Sequence, residues 1–264
     1  MKPIKVLFVG LGSVGQRHLR NLLNSNLGFA FDIYAYRRKN KLFEISNELK
    51  ISDNNIEEKY NIKTFNDLEE ALSICPDITL ICNPPSLHID PAIKAVQSGS
   101  HIFIEKPLSN SLDGIEELNE ISIRNKRIVY VGFQLRFNPV LNKLKEVLSN
   151  DVIGKLTSVR AEVCEYMPHF HKYEDYKDSY AAKKELGGGV VLSQIHELDY
   201  LMWIFGKPNK LLAYGDHRSD LEIDVEDNAT VLMEATYKDK ALPITLYMDY
   251  LQKTSRRSCD VYGT

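Results

Sequence analysis

Three glycines near the start of the chain constrain its fold more than any other feature. Gly10, Gly12 and Gly15 stand between an apolar, strand-like run and a segment whose leucines recur at helical spacing. In such a G-x-G-x-x-G loop the first glycine permits a tight turn and the second lets the backbone approach a pyrophosphate. The third lets the helix pack closely on the strand, and the helix offers its first N–H groups to an anion. The loop therefore predicts a dinucleotide site, which includes Ser13 and Val14.

Strand and helix patterns alternate through the first half of the chain. The strand-like runs lie at residues 4–9, 31–36, 62–65, 77–82, 101–104 and 127–131. After the helix of the glycine loop, helical patterns follow at 41–49, 67–73, 90–98 and 112–123. Asp90 is the expected N-cap of the third of these. Because strands that alternate with helices at this spacing form parallel sheets covered on both faces, residues 1–133 are predicted to form a doubly wound Rossmann domain.

The second half of the chain has a different pattern. Helical segments are predicted at 139–148 and 190–205, and strand-like runs at 155–166, 209–217, 228–237 and 241–251. This order predicts an α+β domain over residues 134–264, with a largely antiparallel open sheet and helices on one face. The last residues, S-R-R-S-C-D-V-Y-G-T, read as a strand and turn that are cut short.

Composition excludes several classes of protein. The net charge of -3 argues against a dedicated nucleic-acid binder. No apolar run reaches the roughly 18 residues of a membrane span, and MKPIKVLFVG lacks the cleavage site of a secretory signal. Four cysteines without C-x-x-C spacing favour free thiols in a cytoplasmic protein over disulfides. His169, His171 and Cys164 match no zinc spacing, so no metal site is expected.

The end of the second predicted strand bears on the choice of dinucleotide. NAD-binding proteins place an Asp or Glu about 20 residues past the glycine loop, where it holds the ribose hydroxyls. Here the strand ends Tyr36-Arg37-Arg38-Lys39, without an acid. Arg37 and Arg38 can pair with the 2′-phosphate of NADP through their guanidinium forks, although a solvated basic turn is the alternative. We therefore expect NADP as the cofactor, with NAD as the second candidate.

Residues 102–109, I-F-I-E-K-P-L-S, end an apolar strand in Glu105 and Lys106. In open parallel sheets, ligands bind outside the carboxyl ends of the strands, and the glycine loop lies at that same edge. A lysine beside a nicotinamide can hold or protonate a substrate hydroxyl. Lys106 is thus a catalytic candidate, with a solvated loop lysine as the alternative.

At this point the chain resembles a known family, the Gfo/Idh/MocA oxidoreductases, from residue 4 to its end. The motifs that carry the resemblance are GLGSVGQRHLRNL (10–22), NPPSLH (83–88), EKP (105–107), GFQLRFNP (132–139) and GGGVVLSQIHELDYLMWIFG (187–206). The resemblance implies a Rossmann domain, a second domain with an open sheet, and NAD(P)-dependent oxidation or reduction of sugars, inositols or related compounds. Members of this family usually continue for several more strands, so we expect either a truncated chain or an unusually short member.

The resemblance also implies roles for individual residues. Lys106 is the catalytic or substrate-orienting residue, and His196 falls on the histidine of the glycine-rich motif. Many members have an aspartate shortly before this histidine, where the present chain has Ser193. Since a serine holds no charge near neutral pH, the acid–base role passes to Lys106 and to His196, whose ordinary pKa of about 6.5 suits proton exchange. The alternative for His196 is a packed helix histidine.

Further contacts are expected around these residues. The predicted cofactor contacts, besides the glycine loop and the two arginines, are Asn83, Pro84, His88 and Glu105. The predicted substrate contacts are Gln134, Arg136, Asn138, His171, Tyr180 and Ser193. Hydrogen bonding at the start of a helix is the alternative for His88, and hydrogen bonding in the linker is the alternative for Gln134, Arg136 and Asn138. Asp199 is expected to be an exposed charge on its helix.

The sequence thus predicts an NAD(P)-dependent oxidoreductase that transfers hydride to or from a hydroxyl or keto group of a sugar, nucleotide sugar or inositol-like substrate. Surface-polysaccharide synthesis is the expected context, on resemblance alone, and a homodimer or homotetramer through the second domain's sheet is the expected assembly. Two alternatives stay open. One is a reductase of a conjugated or imine bond, similar to the biliverdin reductases, and the other is an NAD(P)-binding protein without catalysis.

Overall fold

Residues 2–38, 43–171 and 173–264 are described by the computed structural model, and they form two units. The first unit is Met1–Gly132 with His171–Tyr173, and the second is Phe133–Phe170 with Glu174–Thr264. Within the described ranges no helix is both long and apolar enough to cross a membrane.

The first unit is built on a parallel sheet. Its strands are β1 (Ile4–Val9), β2 (Phe31–Tyr36), β3 (Glu44–Ile45), β4 (Ile51–Ser52), β5 (Lys63–Phe65), β6 (Ile78–Ile81), β7 (His101–Ile104) and β8 (Val129–Val131). Six of them pair in the order β5-β2-β1-β6-β7-β8, all in parallel, while β3 and β4 form a separate antiparallel pair. The strand order reverses between β1 and β6, which is where ligands bind in doubly wound sheets. The predicted Rossmann sheet is confirmed.

Helices cover the first unit's sheet on both faces. They are α1 (Ser13–Leu23), α2 (Ile56–Lys59), α3 (Leu68–Ser73), α4 (Ile89–Gln97) and α5 (Ile115–Arg124). On β1, Val6 and Phe8 belong to one apolar cluster, whereas Leu7 and Val9 belong to another. Successive side chains of a strand point to opposite faces, so two separate clusters around one strand mean that both faces are buried.

Two local predictions in the first unit are wrong. The predicted helix at 41–49 is absent from residue 43 onward, because Glu44–Ile45 is the short strand β3; residues 41–42 lie outside the described residues. A distant partner fixes this strand, since the Gln16 side-chain oxygen accepts a hydrogen bond from the Ile45 N–H at 2.7 Å. The helix after β6 begins at Ile89, one residue before the predicted N-cap Asp90, which stands in its first turn.

The second unit is built on a mixed sheet. Its strands are β9 (Leu156–Cys164), β10 (Pro208–Asp216), β11 (Asn228–Tyr237), β12 (Lys240–Asp249) and β13 (Arg256–Gly263), and its helices are α6 (Pro139–Ser149), α7 (Val190–Ser193) and α8 (His196–Phe205). The order is β10-β11-β12-β9-β13, with every pair antiparallel except β12 and β9. The predicted largely antiparallel sheet is confirmed, and Arg256–Gly263 form its edge strand β13.

The core of the second unit lies on one face of this sheet. Along β12, Leu242, Ile244 and Leu246 are buried, and the residues between them are exposed. Tyr200 and Phe205 of α8 belong to the same apolar cluster. This alternation is what a sheet covered by helices on one side requires.

One helix prediction in the second unit needs correction. The continuous helix expected at 190–205 is broken, because α7 ends at Ser193 and α8 begins at His196. Between them, the Gln194 side chain is buried and donates a hydrogen bond from Nε2 to a Glu165 carboxylate oxygen at 3.3 Å. The break follows from contacts that are distant in sequence, which helical periodicity does not report.

Candidate active site

The glycine loop connects β1 to α1 and is closely packed at Gly10 and Gly15, but not at Gly12. A Cβ on Gly15 would lie 2.6 Å from the Gly10 carbonyl oxygen, so the third glycine is needed for helix and strand to approach. A Cβ on Gly10, whose φ is +88°, would lie 3.0 Å from the Asn83 backbone nitrogen. A Cβ on Gly12 would meet no described atom within 4 Å. The loop thus leaves an open space at its second glycine, as a pyrophosphate requires.

The start of α1 is suited to a negative charge. Among the described residues no side chain caps this helix, and its first turn, which contains Ser13 and Val14, has no acidic residue. Helix N-termini in this state bind phosphate through their N–H groups and the helix dipole. Nearby, the buried Asn83 side-chain oxygen has no hydrogen-bond partner among the described residues. These features fit a dinucleotide.

The two arginines after β2 have different surroundings. Arg37 is buried, and its Nη1 donates a hydrogen bond to a Glu57 carboxylate oxygen at 2.7 Å. Arg38 is exposed, and its Nε donates to the Tyr36 hydroxyl at 3.0 Å. Lys39 lies outside the described residues. Because the charge of Arg37 is already balanced by Glu57, Arg38 is the one of these two arginines to which the expected contact with a 2′-phosphate is assigned.

The loop after β6 contains Asn83, Pro84 and His88. Pro84 precedes a short 3₁₀ turn, Pro85–Leu87, and the Asn83 amide donates to the Leu87 carbonyl oxygen at 2.8 Å. His88 is 1% exposed, and its ring nitrogens lie 2.7 Å from the Asn83 carbonyl oxygen and 3.0 Å from that of Pro107. The hydrogen-bonding alternative for His88 is therefore the one the structure supports, and a direct cofactor contact through its ring is not.

Glu105 explains why a core strand ends in charged residues. Its carboxylate accepts a hydrogen bond from His18 of α1 at 2.6 Å and another from the Lys106 backbone N–H at 3.1 Å. Burial raises the pKa of Glu105, but the bonds from His18 and the nearby Lys106 outweigh it, so the pKa falls below its ordinary value. The ionised carboxylate joins the dinucleotide helix to the turn that carries Lys106. Its cofactor contact stays a prediction.

Lys106 is half-buried at the carboxyl edge of the first unit's sheet, and the peptide bond to Pro107 is cis. Loops that follow β1, β6 and β7 meet at this edge, because the three strands are parallel neighbours. Lys106 therefore shares its edge with the glycine loop and with Asn83. Sequence reasoning found this lysine but missed His18, which stands in the quoted motif GLGSVGQRHLRNL.

In the second unit, three glycines position α7. A Cβ on Gly188 would lie 2.6 Å from the Tyr180 carbonyl oxygen, and Gly189, with φ +105°, leaves room for the Glu226 carboxylate. Glu226 in turn accepts a hydrogen bond from the Val191 N–H at 3.1 Å. The glycine run thus lets a carboxylate approach the start of α7. Ser193 ends this helix, and its side chain lies close to the buried Tyr250, on whose hydroxyl pKa it acts.

His196 is the first residue of α8 and is 6% exposed. The edge of its ring meets the ring of Phe133, with 6.1 Å between the centroids. His196 and Ser193 flank the break between α7 and α8, so both side chains are set by the ends of short helices. Their catalytic and substrate roles stay predictions.

Arg136 and Asp199 form a pair that the sequence did not reveal. The expectation that Asp199 is an exposed charge is wrong: it is 8% exposed, and its two oxygens accept hydrogen bonds from Arg136 at 2.9 and 2.6 Å. The Asn138 side-chain oxygen accepts from the Val140 N–H at 2.8 Å and caps α6. For Arg136 and Asn138, the structure therefore supports hydrogen bonding within the protein, which is the alternative to a substrate contact. Gln134 is exposed in a 3₁₀ turn.

The remaining predicted residues lie in different units. His171 belongs to the first unit and stacks on Tyr173, with 5.1 Å between ring centroids. Tyr180 begins a 3₁₀ turn of the second unit. The described residues contain no group of three or more His, Cys, Asp or Glu side chains that could hold a metal ion. All four cysteines are free thiols.

Glu197 is a buried acid that sequence reasoning missed. It is fully buried, and its only ion pair among the described residues is with Arg257 of β13, at 2.8 Å. Burial raises the pKa of Glu197 to about 7, although the charge of Arg257 acts against this. The signal was present, since Glu197 shares a helical face with Leu201 and Ile204, at spacings of four and seven residues.

Two family models and several known proteins match the chain. Residues 4–133 match the model of an oxidoreductase family with an NAD-binding Rossmann fold, and residues 141–264 match that of the GFO/IDH/MocA C-terminal domain. The chain is 28% identical over 153 residues to an uncharacterized oxidoreductase of Synechocystis, covering 57% of this chain and 40% of that protein. It is 27% identical over 244 residues to inositol 2-dehydrogenase of Salmonella typhimurium, covering 88% and 64%. The chain thus spans less than two thirds of either relative.

A solved structure shares the fold. The WlbA dehydrogenase of Bordetella pertussis, solved in complex with NADH and UDP-GlcNAcA, aligns with a TM-score of 0.83 at 19% identity. The alignment covers 99% of this chain and 72% of that one.

Proposed function

Because the chain belongs to the Gfo/Idh/MocA oxidoreductase family, we propose that it transfers hydride between a nicotinamide dinucleotide and a hydroxyl or keto group of a sugar, nucleotide sugar or inositol-like substrate. The observation that carries the proposal is the turn of Lys106, which Glu105 ties to His18 of the dinucleotide helix. The lysine and the glycine loop follow parallel strands of one sheet and therefore share one edge of it. The inositol dehydrogenase activity named for one relative and the UDP-GlcNAcA bound to one neighbour support the substrate class.

In this proposal the first unit binds the dinucleotide. The pyrophosphate lies against Gly12 and the first N–H groups of α1. NADP is the preferred cofactor, because Arg38 is exposed after β2 and no acid stands there to hold a ribose hydroxyl. NAD is the alternative, supported by the NADH in the related structure. The bound nicotinamide supplies the site that accepts or gives the hydride.

Lys106 and His196 are the proposed catalytic residues, and each has a different role. In the oxidation direction, the Lys106 ammonium donates a hydrogen bond to the substrate oxygen and stabilises the negative charge that develops there. The imidazole of His196 is the proposed acceptor of the hydroxyl proton. Ser193 contributes a hydrogen bond and no charge. In the reduction direction His196 returns the proton to the substrate oxygen, and Lys106 donates the same hydrogen bond.

A nucleotide sugar of surface-polysaccharide synthesis is the preferred substrate. Assembly as a homodimer or homotetramer through the second unit's sheet is also part of the proposal. It is supported by apolar side chains on the sheet surface away from the core, among them Leu212 at 71% and Leu232 at 48% exposure. These two residues pair across β10 and β11, so their side chains adjoin. Sedimentation of the purified chain tests this assembly.

The test of the chemical proposal is Lys106→Ala, with the exposed Lys63→Ala of β5 as the matched control. Purified proteins are assayed with NADP and NAD against myo-inositol and UDP-GlcNAcA among a panel of polyols and nucleotide sugars. On any substrate turned over by the wild type, Lys106→Ala should lower kcat about 10² to 10³-fold, as expected for loss of a hydrogen-bond donor that stabilises a developing negative charge. Lys63→Ala should not. A Lys106→Ala enzyme with near wild-type kcat would remove the lysine from the mechanism.

Ser193 favours one alternative. A hydride transfer to a conjugated or imine bond needs less help from a carboxylate than oxidation of an alcohol does. Turnover of unsaturated substrates with NADPH, combined with no activity on the polyols, would support this alternative. Tight binding of NADPH without turnover of either class would support a cofactor-binding protein without catalysis.

A further inference from the structure

His88 joins two loops that the proposed reaction uses. Its buried imidazole lies between the loop after β6 and the turn after β7, with Nε2 2.7 Å from the Asn83 carbonyl oxygen and Nδ1 3.0 Å from that of Pro107. Asn83 adjoins the glycine loop, since a Cβ on Gly10 would lie 3.0 Å from the Asn83 nitrogen. Pro107 is the direct neighbour of Lys106. One side chain thus contacts the backbone beside the cofactor loop and the backbone beside the proposed catalytic lysine.

The chemistry of this bridge is specific to histidine. Carbonyl oxygens only accept hydrogen bonds, so each contact needs an N–H from the ring. A neutral imidazole carries one N–H and can satisfy one carbonyl at a time, whereas an imidazolium donates to both. Burial lowers the pKa of His88 and outweighs the backbone hydrogen bonds and the charge of Glu105, which raise it, so the neutral ring donates its single N–H to one of the two carbonyls at a time. A neutral histidine can donate from either of two opposed ring nitrogens, so one side chain can serve either loop.

We propose that His88 is a positioning residue that holds the Lys106–Pro107 turn and the Asn83 loop in one fixed arrangement. It touches neither cofactor nor substrate, and it acts through the two backbone carbonyls. Through Asn83 it fixes the wall of the dinucleotide site, and through Pro107 it fixes the direction of Lys106. This inference rests on the proposed function, because it assigns roles to the two loops that function requires.

Two substitutions separate the two halves of the bridge. An asparagine at position 88 places its side-chain N–H₂ where Nδ1 stands, so His88→Asn keeps a donor for the Pro107 carbonyl only. A glutamine places its N–H₂ near Nε2, so His88→Gln keeps a donor for the Asn83 carbonyl only. His101→Asn is the matched control. His101 lies on the adjacent β7, where Nδ1 accepts from the Ile128 N–H at 3.1 Å, and an asparagine oxygen can replace it.

Two measurements report separately on the Asn83 loop and on the Lys106–Pro107 turn. Dissociation constants for NADPH and NADH, measured by fluorescence, report the Asn83 loop. The rate of trace acetylation of Lys106, measured by mass spectrometry relative to the exposed Lys63, reports the turn. His88→Asn should weaken dinucleotide binding about tenfold, which corresponds to one lost hydrogen bond, and leave Lys106 acetylation unchanged. His88→Gln should change Lys106 acetylation severalfold and leave dinucleotide binding within about twofold. His101→Asn should change neither.

If both variants change dinucleotide affinity and Lys106 acetylation to the same extent, His88 has a role in stability only. If neither variant changes either quantity, His88 has no positioning role. Either result overturns the proposal. If a variant does not fold, the wild type decides the question by NMR. A His88 ring N–H protected from solvent exchange supports the bridge, and one that exchanges freely overturns it. A wild type that binds neither NADPH nor NADH would refute the proposed function. The acetylation readout would still test the bridge.

Discussion

Replacement of Glu197 by glutamine should change how the stability of the second unit depends on pH. Glu197 is a fully buried residue of α8. The charged or titratable groups that act on it are Arg257, Glu165, Tyr200 and Cys259. Burial raises its pKa to about 7 from the ordinary 4.5, even with Arg257 at 2.8 Å. The folded protein therefore keeps this proton up to about pH 7, while the unfolded chain releases it near its ordinary pKa.

The magnitude follows from the gap between the two pKa values. Stability falls with pH wherever the folded state binds more protons, and here that window runs from about pH 4.5 to pH 7. At about 1.4 kcal/mol per pH unit, the loss for wild type is about 3 kcal/mol. Above this window no further loss occurs. Glutamine does not titrate, so the free energy of unfolding of Glu197→Gln minus that of wild type should rise by about 3 kcal/mol across the window.

The assay uses urea unfolding followed by the fluorescence of Trp203, the chain's single tryptophan, which lies on the same helix as Glu197. Measurements from pH 5 to pH 8 give the difference between wild type and Glu197→Gln. The control is Glu120→Gln on the exposed surface of α5, which should show no such rise. A difference that stays constant with pH would refute the conclusion that burial holds a proton on Glu197.

Two further predictions concern the cofactor and the core. Arg38→Ala should weaken NADPH binding about 10 to 100-fold, as expected for loss of hydrogen bonds to a charged group, and should leave NADH binding unchanged. Arg37→Ala should lower the stability of the fold without changing the preference for NADPH. Equal NADPH affinities before and after Arg38→Ala would exclude the 2′-phosphate contact. Leu246→Ala, at a fully buried position of β12, should lower the free energy of unfolding by about 2 to 5 kcal/mol, whereas Val140→Ala on the exposed side of α6 should change it by less than about 0.5 kcal/mol. Urea unfolding monitored by Trp203 fluorescence measures both, and similar losses in the two variants would contradict the assigned core.

The features that sequence predicted well are those set by local pattern. The strand before the glycine loop and the helix after it follow from apolar periodicity, and the observed bounds of β1, Ile4–Val9, are the predicted ones. The strand predicted at 228–237 is β11, and the two residues that follow it, Lys238 and Asp239, have positive φ, as short hairpins require. These signals lie within a few residues of the structure that they specify.

The features that sequence missed depend on partners that are distant in the chain. His18 and Glu105 are 87 residues apart, and Arg136 and Asp199 are 63 residues apart. No local pattern indicates that these side chains pair, because only the fold brings the partners together. A short strand such as β3 likewise has too few residues for a period, so only the contact with Gln16 distinguishes it from a helix.

The contact between Glu105 and His18 also gives the EKP motif a physical meaning. An ionised carboxylate at the end of β7 needs a partner when it is buried, and His18 of α1 provides one. The same carboxylate binds the Lys106 backbone N–H, so the lysine follows a residue that is anchored to the dinucleotide helix. Position, rather than an unusual side chain, makes Lys106 the leading catalytic candidate.

The most direct test of the account is calorimetric titration of wild type and Gly12→Val with NADPH and with NADH. Gly12 has an extended backbone, with φ −74°, and open space beside it, so a valine there fits the fold while filling the place assigned to the pyrophosphate. Wild type should bind one dinucleotide per chain, and Gly12→Val should bind at least about 100-fold more weakly with unchanged urea unfolding. A wild type that binds neither dinucleotide, or a variant that binds as tightly as wild type, would contradict the account.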